Sequence, residues 1–162
     1  MEKKISYTFW GDEINTNWDE WYEYVKKMFN NMGYNITHYG FSSKSYSSNN
    51  IVTAKRKEKE IAKIIQSGEI PDSIECYSLP ENFRTAVSDY NYLCVRTSNF
   101  ISVVFTEKDL NRISEADIMK MKNYIKFSFG EVYSTYGQVP VMYAYTKDKR
   151  SVPSYELIKR LE

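Results

Sequence analysis

Histidine and cysteine are almost missing from this 162-residue chain, which has one of the first and two of the second. A structural zinc site takes about four nitrogen or sulfur ligands. Cys76, Cys94 and His38 are all that is on offer, without the short spacing such sites use, so no metal site is expected. The two cysteines fall on separate predicted strands and read as buried reduced thiols rather than a disulfide framework. His38, within Tyr34-Asn35-Ile36-Thr37-His38-Tyr39, reads as a strand residue. As the lone histidine it would have to serve as the base of any triad, and no nucleophile elbow accompanies it. Glycine is scarce too: none of the six is spaced as a dinucleotide or Walker loop, so no cofactor is expected.

Long apolar runs are also missing. No stretch approaches the roughly 18 residues of a transmembrane helix, so no membrane partner is expected. The opening Met1-Glu2-Lys3-Lys4 runs into Ile5 to Trp10, which is too short and too polar for a signal-peptide core. The expectation is a chain that begins at Met1 and stays in the cytoplasm. Charge of one sign is missing as well. Twenty-two basic and twenty-one acidic residues leave +1, which gives no general attraction to nucleic acid or an anionic membrane.

What is present is aromatic. The chain holds fifteen tyrosines, and 16% of its residues are Phe, Trp or Tyr. With 42% hydrophobic and 27% charged residues it should fold as one domain over residues 1–162. The pattern predicts a strand over 5–10, then a helix from an Asn17 N-cap to a Gly33 stop, with Trp18, Trp21, Tyr22, Val25, Met28, Phe29 and Met32 at helical spacing. A strand over 34–41 follows, then a polar, mobile loop over 42–50. A second helix runs from Thr53 to Ser67, and strands cover 73–79, 90–97 and 100–106, the last two joined at Ser98-Asn99. Ser114, with Asp117 three residues on and Ile113 and Ile118 as a staple, predicts a third helix ending at Gly130. Strands over 131–136 and 139–145 and a terminal helix over 154–161 complete the reading. The fold class is α/β or α+β, with a mixed sheet of five to seven strands and three to four helices.

The segment Trp10 to Tyr24 is the most distinctive. It holds Asp12, Glu13, Asp19, Glu20 and Glu23, no lysine or arginine, and all three tryptophans. Helical spacing puts Trp18, Trp21, Tyr22 and Val25 on one side and the acids largely on another, with Tyr24 at the border. The structural reading is an amphipathic helix whose acids favour its N-terminus. The functional reading is an acidic, aromatic-rimmed surface for a basic protein: carboxylates steer the encounter, and Trp or Tyr anchor it. The expected partner-binding residues are Asp12, Glu13, Trp18, Asp19, Glu20, Glu23 and Tyr24. Strand alternation would also put Tyr90 with Tyr92, and Tyr143 with Tyr145, on shared faces as binding platforms.

The whole pattern resembles the immunity proteins of bacterial polymorphic toxins, including those of contact-dependent growth inhibition. The likeness rests on a small cytoplasmic α/β chain rich in Tyr, Asn, Lys and Ile, on Phe9-Trp10-Gly11 closing the first strand, and on a capped helix running into Phe127-Ser128-Phe129-Gly130-Glu131-Val132-Tyr133. It spreads over the full length without a motif of defined spacing, so no residue role carries over. The resemblance implies a protein that binds one cognate toxin, often a nuclease, and blocks its active site or its access to substrate. That is a binder, not an enzyme. Two alternatives stay open: a small enzyme using Asp12, Glu13 or His38, and a nucleic-acid-binding module using the helix that carries Lys55, Arg56, Lys57, Lys59 and Lys63.

Overall fold

The computed structural model describes residues 2–14, 16–46, 50–137 and 139–162. Part of the predicted mobile loop, residues 47–49, lies outside the described residues, as does Gln138 of the expected break between two strands. In chain order the elements are β1 (Lys3–Glu13), α1 (Trp18–Asn31), β2 (His38–Ser42), β3 (Val52–Thr53), α2 (Ala54–Gln66), β4 (Ser73–Ser78), α3 (Ala86–Asp89), β5 (Tyr92–Thr97) and β6 (Phe100–Thr106). Then come α4 (Glu115–Met119), β7 (Ile125–Tyr136), α5 (Val141–Thr146) and β8 (Glu156–Leu161), with 3-10 turns at Glu107–Arg112, Lys120–Tyr124 and Lys149–Ser151.

The strands form one eight-stranded sheet in the order β3-β2-β4-β5-β6-β1-β7-β8. Every neighbouring pair is antiparallel. The architecture is therefore α+β. The expected mixed sheet of five to seven strands is corrected to eight antiparallel ones, and the three to four helices become five α-helices among the described residues.

The pleat of β1 shows how the two faces divide. Ile5, Tyr7 and Phe9 enter one core, packed against Trp21, Tyr22, Val25 and Phe29 of α1 and Ile61 and Ile65 of α2. Trp10 enters the other core, with Tyr133, Val141, Tyr143 and Ala144. The side chains of period two thus feed both layers from one strand. On the second face Thr8 shares hydrogen bonds of 2.9 Å with the hydroxyls of both Ser102 and Tyr133, which satisfies buried polar groups in mid-sheet.

Most of the first half follows the sequence pattern. The two-residue connection Ser98-Asn99 joins β5 to β6 without glycine because Thr97 Oγ1 accepts from the N–H groups of Asn99 and Phe100, both at 3.1 Å. The strand expected over 34–41 is shorter, starting only at His38. The second half departs further. Ser114 does cap a helix, its side chain accepting from Asp117 N. That helix stops at Met119 instead of running to Gly130, and residues 125–136 form β7. The apolar residues Ile118, Met121, Ile125 and Phe129 fit helical spacing, but Ile125, Phe127 and Phe129 also alternate. Pairing with β1 along its whole length decides for the strand. Gly130 is not a helix stop. It lies opposite Phe9 and Leu161, where a Cβ would come within 2.9 Å of the Thr8 carbonyl and 3.1 Å of Leu161 Cβ.

Two further expectations are corrected. Residues 141–146 form helix α5 rather than a strand, and the terminal segment 156–161 is strand β8 on the β7 edge rather than a helix. Tyr143 and Tyr145 therefore share no strand face. Tyr90 lies just before β5 in the second core while Tyr92 lies in the first, so that pair is split as well.

Candidate functional site

The expected partner-binding residues gather where β1 runs out and α1 begins. The β1–β7 register shifts between Trp10 and Gly11. A Cβ at Gly11 would collide with the Lys126 carbonyl, so the strands approach closely there. Beyond the shift Asp12 and Glu13 are exposed.

The loop that follows is held from beneath. Arg96 of β5 is 1% exposed, yet it forms no ion pair among the described residues. Its guanidinium donates to the carbonyls of Ile14 (3.1 Å), Thr16 (3.3 Å) and Asn17 (3.4 Å). It also lies 3.9 Å from the Trp18 ring centroid, with the rings of Trp21 and Tyr124 at 5.8 and 5.9 Å. Three carbonyl dipoles and an aromatic face take the place of a counter-ion. Burial pushes the Arg96 pKa down to about 10, against the opposing pull of Glu13. Asn17 sits in the left-handed region at φ 63° and its side chain makes no cap; its backbone carbonyl accepts from Trp21 N instead. The expected Asn17 side-chain cap is replaced by this arginine clamp.

The tryptophans are interior. Trp10, Trp18 and Trp21 are 1%, 4% and 0% exposed. Trp18, expected on the binding surface, therefore packs beneath it. What α1 shows to solvent is carboxylate: Asp19, Glu20 and Glu23 are exposed, and Tyr24 is half-buried at the border. Tyr24 donates to the Asp117 carbonyl at 2.8 Å and stacks on Tyr124, whose hydroxyl donates to Glu20 Oε1 at 3.3 Å. Glu23 pairs with Lys26 at 2.8 Å. Asp12, Glu13, Asp19 and Glu20 form no ion pair among the described residues. Asp19, Glu20 and Glu23 also border a cleft of about 170 Å³ floored by Ala62 and Ile65 of α2.

The exposed aromatics come from elements that the sequence pattern misassigned. A cavity of about 390 Å³ beside Asp12 is lined by Phe129 of β7 and Tyr145 of α5. They are 41% and 55% exposed. Phe129 stacks on Trp10 at 4.7 Å, Tyr145 meets Phe100 edge-on at 4.9 Å, and Lys147 Nζ sits 5.5 Å over the Phe129 ring. The alternation of Phe127 and Phe129 was the available signal, but helical spacing masked it.

The other candidates do not assemble. His38 is on β2, four strand positions from β1, or about 19 Å, and Asp12 and Glu13 lie at the far end of β1. The three residues do not converge on one site. His38 Nδ1 lies 2.8 Å from Thr37 Oγ1, its ring packs edge-on to Phe83, and burial lowers its pKa. Cys76 and Cys94 lie directly opposite each other on β4 and β5, both free and buried, and burial pushes both thiols up. No cluster of three or more His, Cys, Asp or Glu suited to a metal exists among the described residues. None of the helices described is long and apolar enough to cross a membrane. On α2, Lys55, Arg56, Lys59 and Lys63 are exposed, and Lys57 pairs with Glu60 at 3.2 Å.

No family model matches the chain, and no curated protein matches it. Among solved structures, the chain is similar to one in the crystal structure of the toxic C-terminal tip of CdiA from Pseudomonas aeruginosa in complex with immune protein. The likeness covers 86% of this chain and 89% of that one at 12% identity and a TM-score of 0.34. At that score the superposition carries no argument about what this chain does.

Proposed function

We propose that this chain is a single-domain immunity protein that binds a cognate bacterial toxin domain through its acidic face and neutralises it by protein–protein contact. The observation that carries the reading is a set of exposed carboxylates, Asp12, Glu13, Asp19 and Glu20, with no ion-pair partner among the described residues. Asp19 and Glu20 favour the N-terminus of α1, whereas Asp12 and Glu13 lie outside the helix. Held in place by the framework that Arg96 fixes, the four together build a preorganised negative field for a basic partner. A nuclease domain, which must itself grip phosphates, presents such a basic surface.

Glu23 and Tyr24 extend the face along α1. Phe129 and Tyr145, beside Asp12, supply the large rigid contacts that the buried tryptophans do not. Carboxylates then set encounter and orientation, and the aromatic pair sets residence time. The protein acts in the cytoplasm, without cofactor or metal, and catalyses no reaction.

The test begins with co-purification from the native host to identify the partner. Calorimetry follows, with the intact chain and with the double variant Glu20→Lys/Glu23→Lys. Loss of at least about tenfold in affinity with an unchanged circular dichroism spectrum supports the face as the interface. Unchanged affinity removes it.

A further inference from the structure

Lys3 and Lys4 are neighbours in β1 with opposite surroundings, because strand alternation sends them to opposite faces of the sheet. Lys3 pairs with Glu107 at 3.2 Å, and that contact raises its pKa. Lys4 is 7% exposed and forms no ion pair among the described residues. Its Nζ donates to the Tyr90 carbonyl at 2.9 Å and lies 3.6 Å from the Tyr90 ring centroid. One hydrogen bond and a ring face are modest compensation for a buried ammonium.

Lys4 also lines a cavity of about 560 Å³, enough for a small metabolite. The charged groups facing it come from three places. Glu2 precedes β1 and pairs with Lys108 of the 3-10 turn at 3.4 Å. Asp89 ends α3, and its carboxylate is engaged by the backbone N–H groups of Arg84 and Thr85. The Arg84 side chain, on the rim, has no ion pair among the described residues. Burial pulls the Lys4 pKa down to about 8; Glu2 and Asp89 oppose this and Lys108 adds to it.

We infer that Lys4 is a reactive-amine site, at which a small aldehyde bearing a carboxylate enters the cavity and condenses with Nζ to form an imine. The neutral amine attacks the carbonyl carbon and a C–N bond forms. The resulting carbinolamine then loses water, made of the carbonyl oxygen and the two amine hydrogens. No oxidant or reductant is needed. Arg84, which has no ion pair among the described residues, supplies positive charge for the carboxylate, while Tyr90 holds the amine at the cavity wall. At pH 7 an amine of pKa about 8 is about a tenth neutral, whereas an ordinary lysine is neutral in only about one molecule in 2,500. The site is independent of the acidic face and needs no protein partner.

The experiment treats the intact chain with glyoxylate and cyanoborohydride, which traps the imine as a stable secondary amine. Site-resolved peptide mass spectrometry reads the extent of modification, with Lys3 as the built-in reference. Near pH 7 Lys4 should be modified at least about tenfold faster than Lys3. Its rate should rise through about pH 8. Glu2→Gln should move that rise to lower pH and Lys108→Gln to higher pH, since the two charges act on Lys4 with opposite sign. Modification of Lys4 no faster than Lys3, or none at all while the chain remains folded, overturns the inference. Equal selectivity with acetaldehyde overturns the carboxylate assignment.

Discussion

The Arg96 guanidinium lies 3.9 Å from the ring centroid of Trp18, and the two residues, one on β5 and one opening α1, lock the start of the acidic face onto the sheet. Both are nearly fully buried. The cation is solvated by loop carbonyls and an aromatic face, with no ion pair among the described residues, although the charge of Glu13 still acts on it.

Arg96→Met should therefore cost about 2–4 kcal/mol of stability, because three part-buried carbonyls lose their donor and the Trp18 ring loses its cation. Arg96→Lys should recover only part, since an ammonium cannot bridge several carbonyls and stack flat on the indole at once. Urea unfolding followed by tryptophan fluorescence reads both. A loss under about 0.5 kcal/mol for the methionine variant would show that the clamp contributes little.

Binding variants should separate by kinetics. Charge reversal at Glu20 and Glu23 should slow association of the co-purified partner and flatten its salt dependence. Phe129→Ala and Tyr145→Ala should mainly speed dissociation, because exposed aromatics act through contact rather than long-range field. Surface plasmon resonance at two salt concentrations distinguishes the two effects. Identical behaviour of the two classes would contradict this division of labour.

Alkaline pH should act in two opposite stages. Lys4 has a folded-state pKa near 8, below its ordinary 10.5, so the unfolded chain binds more protons between these values and this group adds stability as pH rises through that window. Burial raises Tyr24 and Tyr34 from 10 to about 12. Their contribution is present below pH 10 and is lost as pH climbs from 10 to 12. Cys76 and Cys94, whose buried thiols are also pushed up from 9.0, lose their contribution from about pH 9. Thermal melting points should thus hold or rise up to about pH 9 and then fall, more steeply once the tyrosines join. A melting point that declines evenly from pH 8 would show that Lys4 is not strained by its burial.

Gly130→Ala should destabilise by about 1–3 kcal/mol, because the added methyl meets backbone at Thr8 and packed side chain at Leu161. Gly40→Ala should stay within about 0.5 kcal/mol, since its nearest neighbours are atoms of the flexible Glu75 side chain. Chemical denaturation of the two variants provides the comparison.

Where local pattern and tertiary demand agree, the elements were legible before any coordinates. β1, α1, α2, β4 and the β5–β6 hairpin fall nearly where alternation, helical spacing and turn residues place them. The failures cluster from residue 120 onward. Ile125, Phe127 and Phe129 satisfy two periodicities at once, and the long unpaired edge of β1 chooses the strand. Leu157, Ile158 and Leu161 fit a short helix equally well until β7 presents an edge for them to pair with. Local propensity is too weak to decide such segments.

The sequence by itself determined that acids and tryptophans share one segment, that histidine and cysteine are too few for most site chemistry, and that net charge is near zero. Only the tertiary structure decided which of those residues meet solvent. It turned all three tryptophans inward, brought Arg96 from 82 residues beyond Ile14 to hold the loop between them, and set Phe129 and Tyr145 beside Asp12. It also split Lys3 from Lys4, one paired at the surface and one held over Tyr90. Burial and long-range contact are properties of the packed sheet, and no local pattern encodes which distant strand supplies the neighbour.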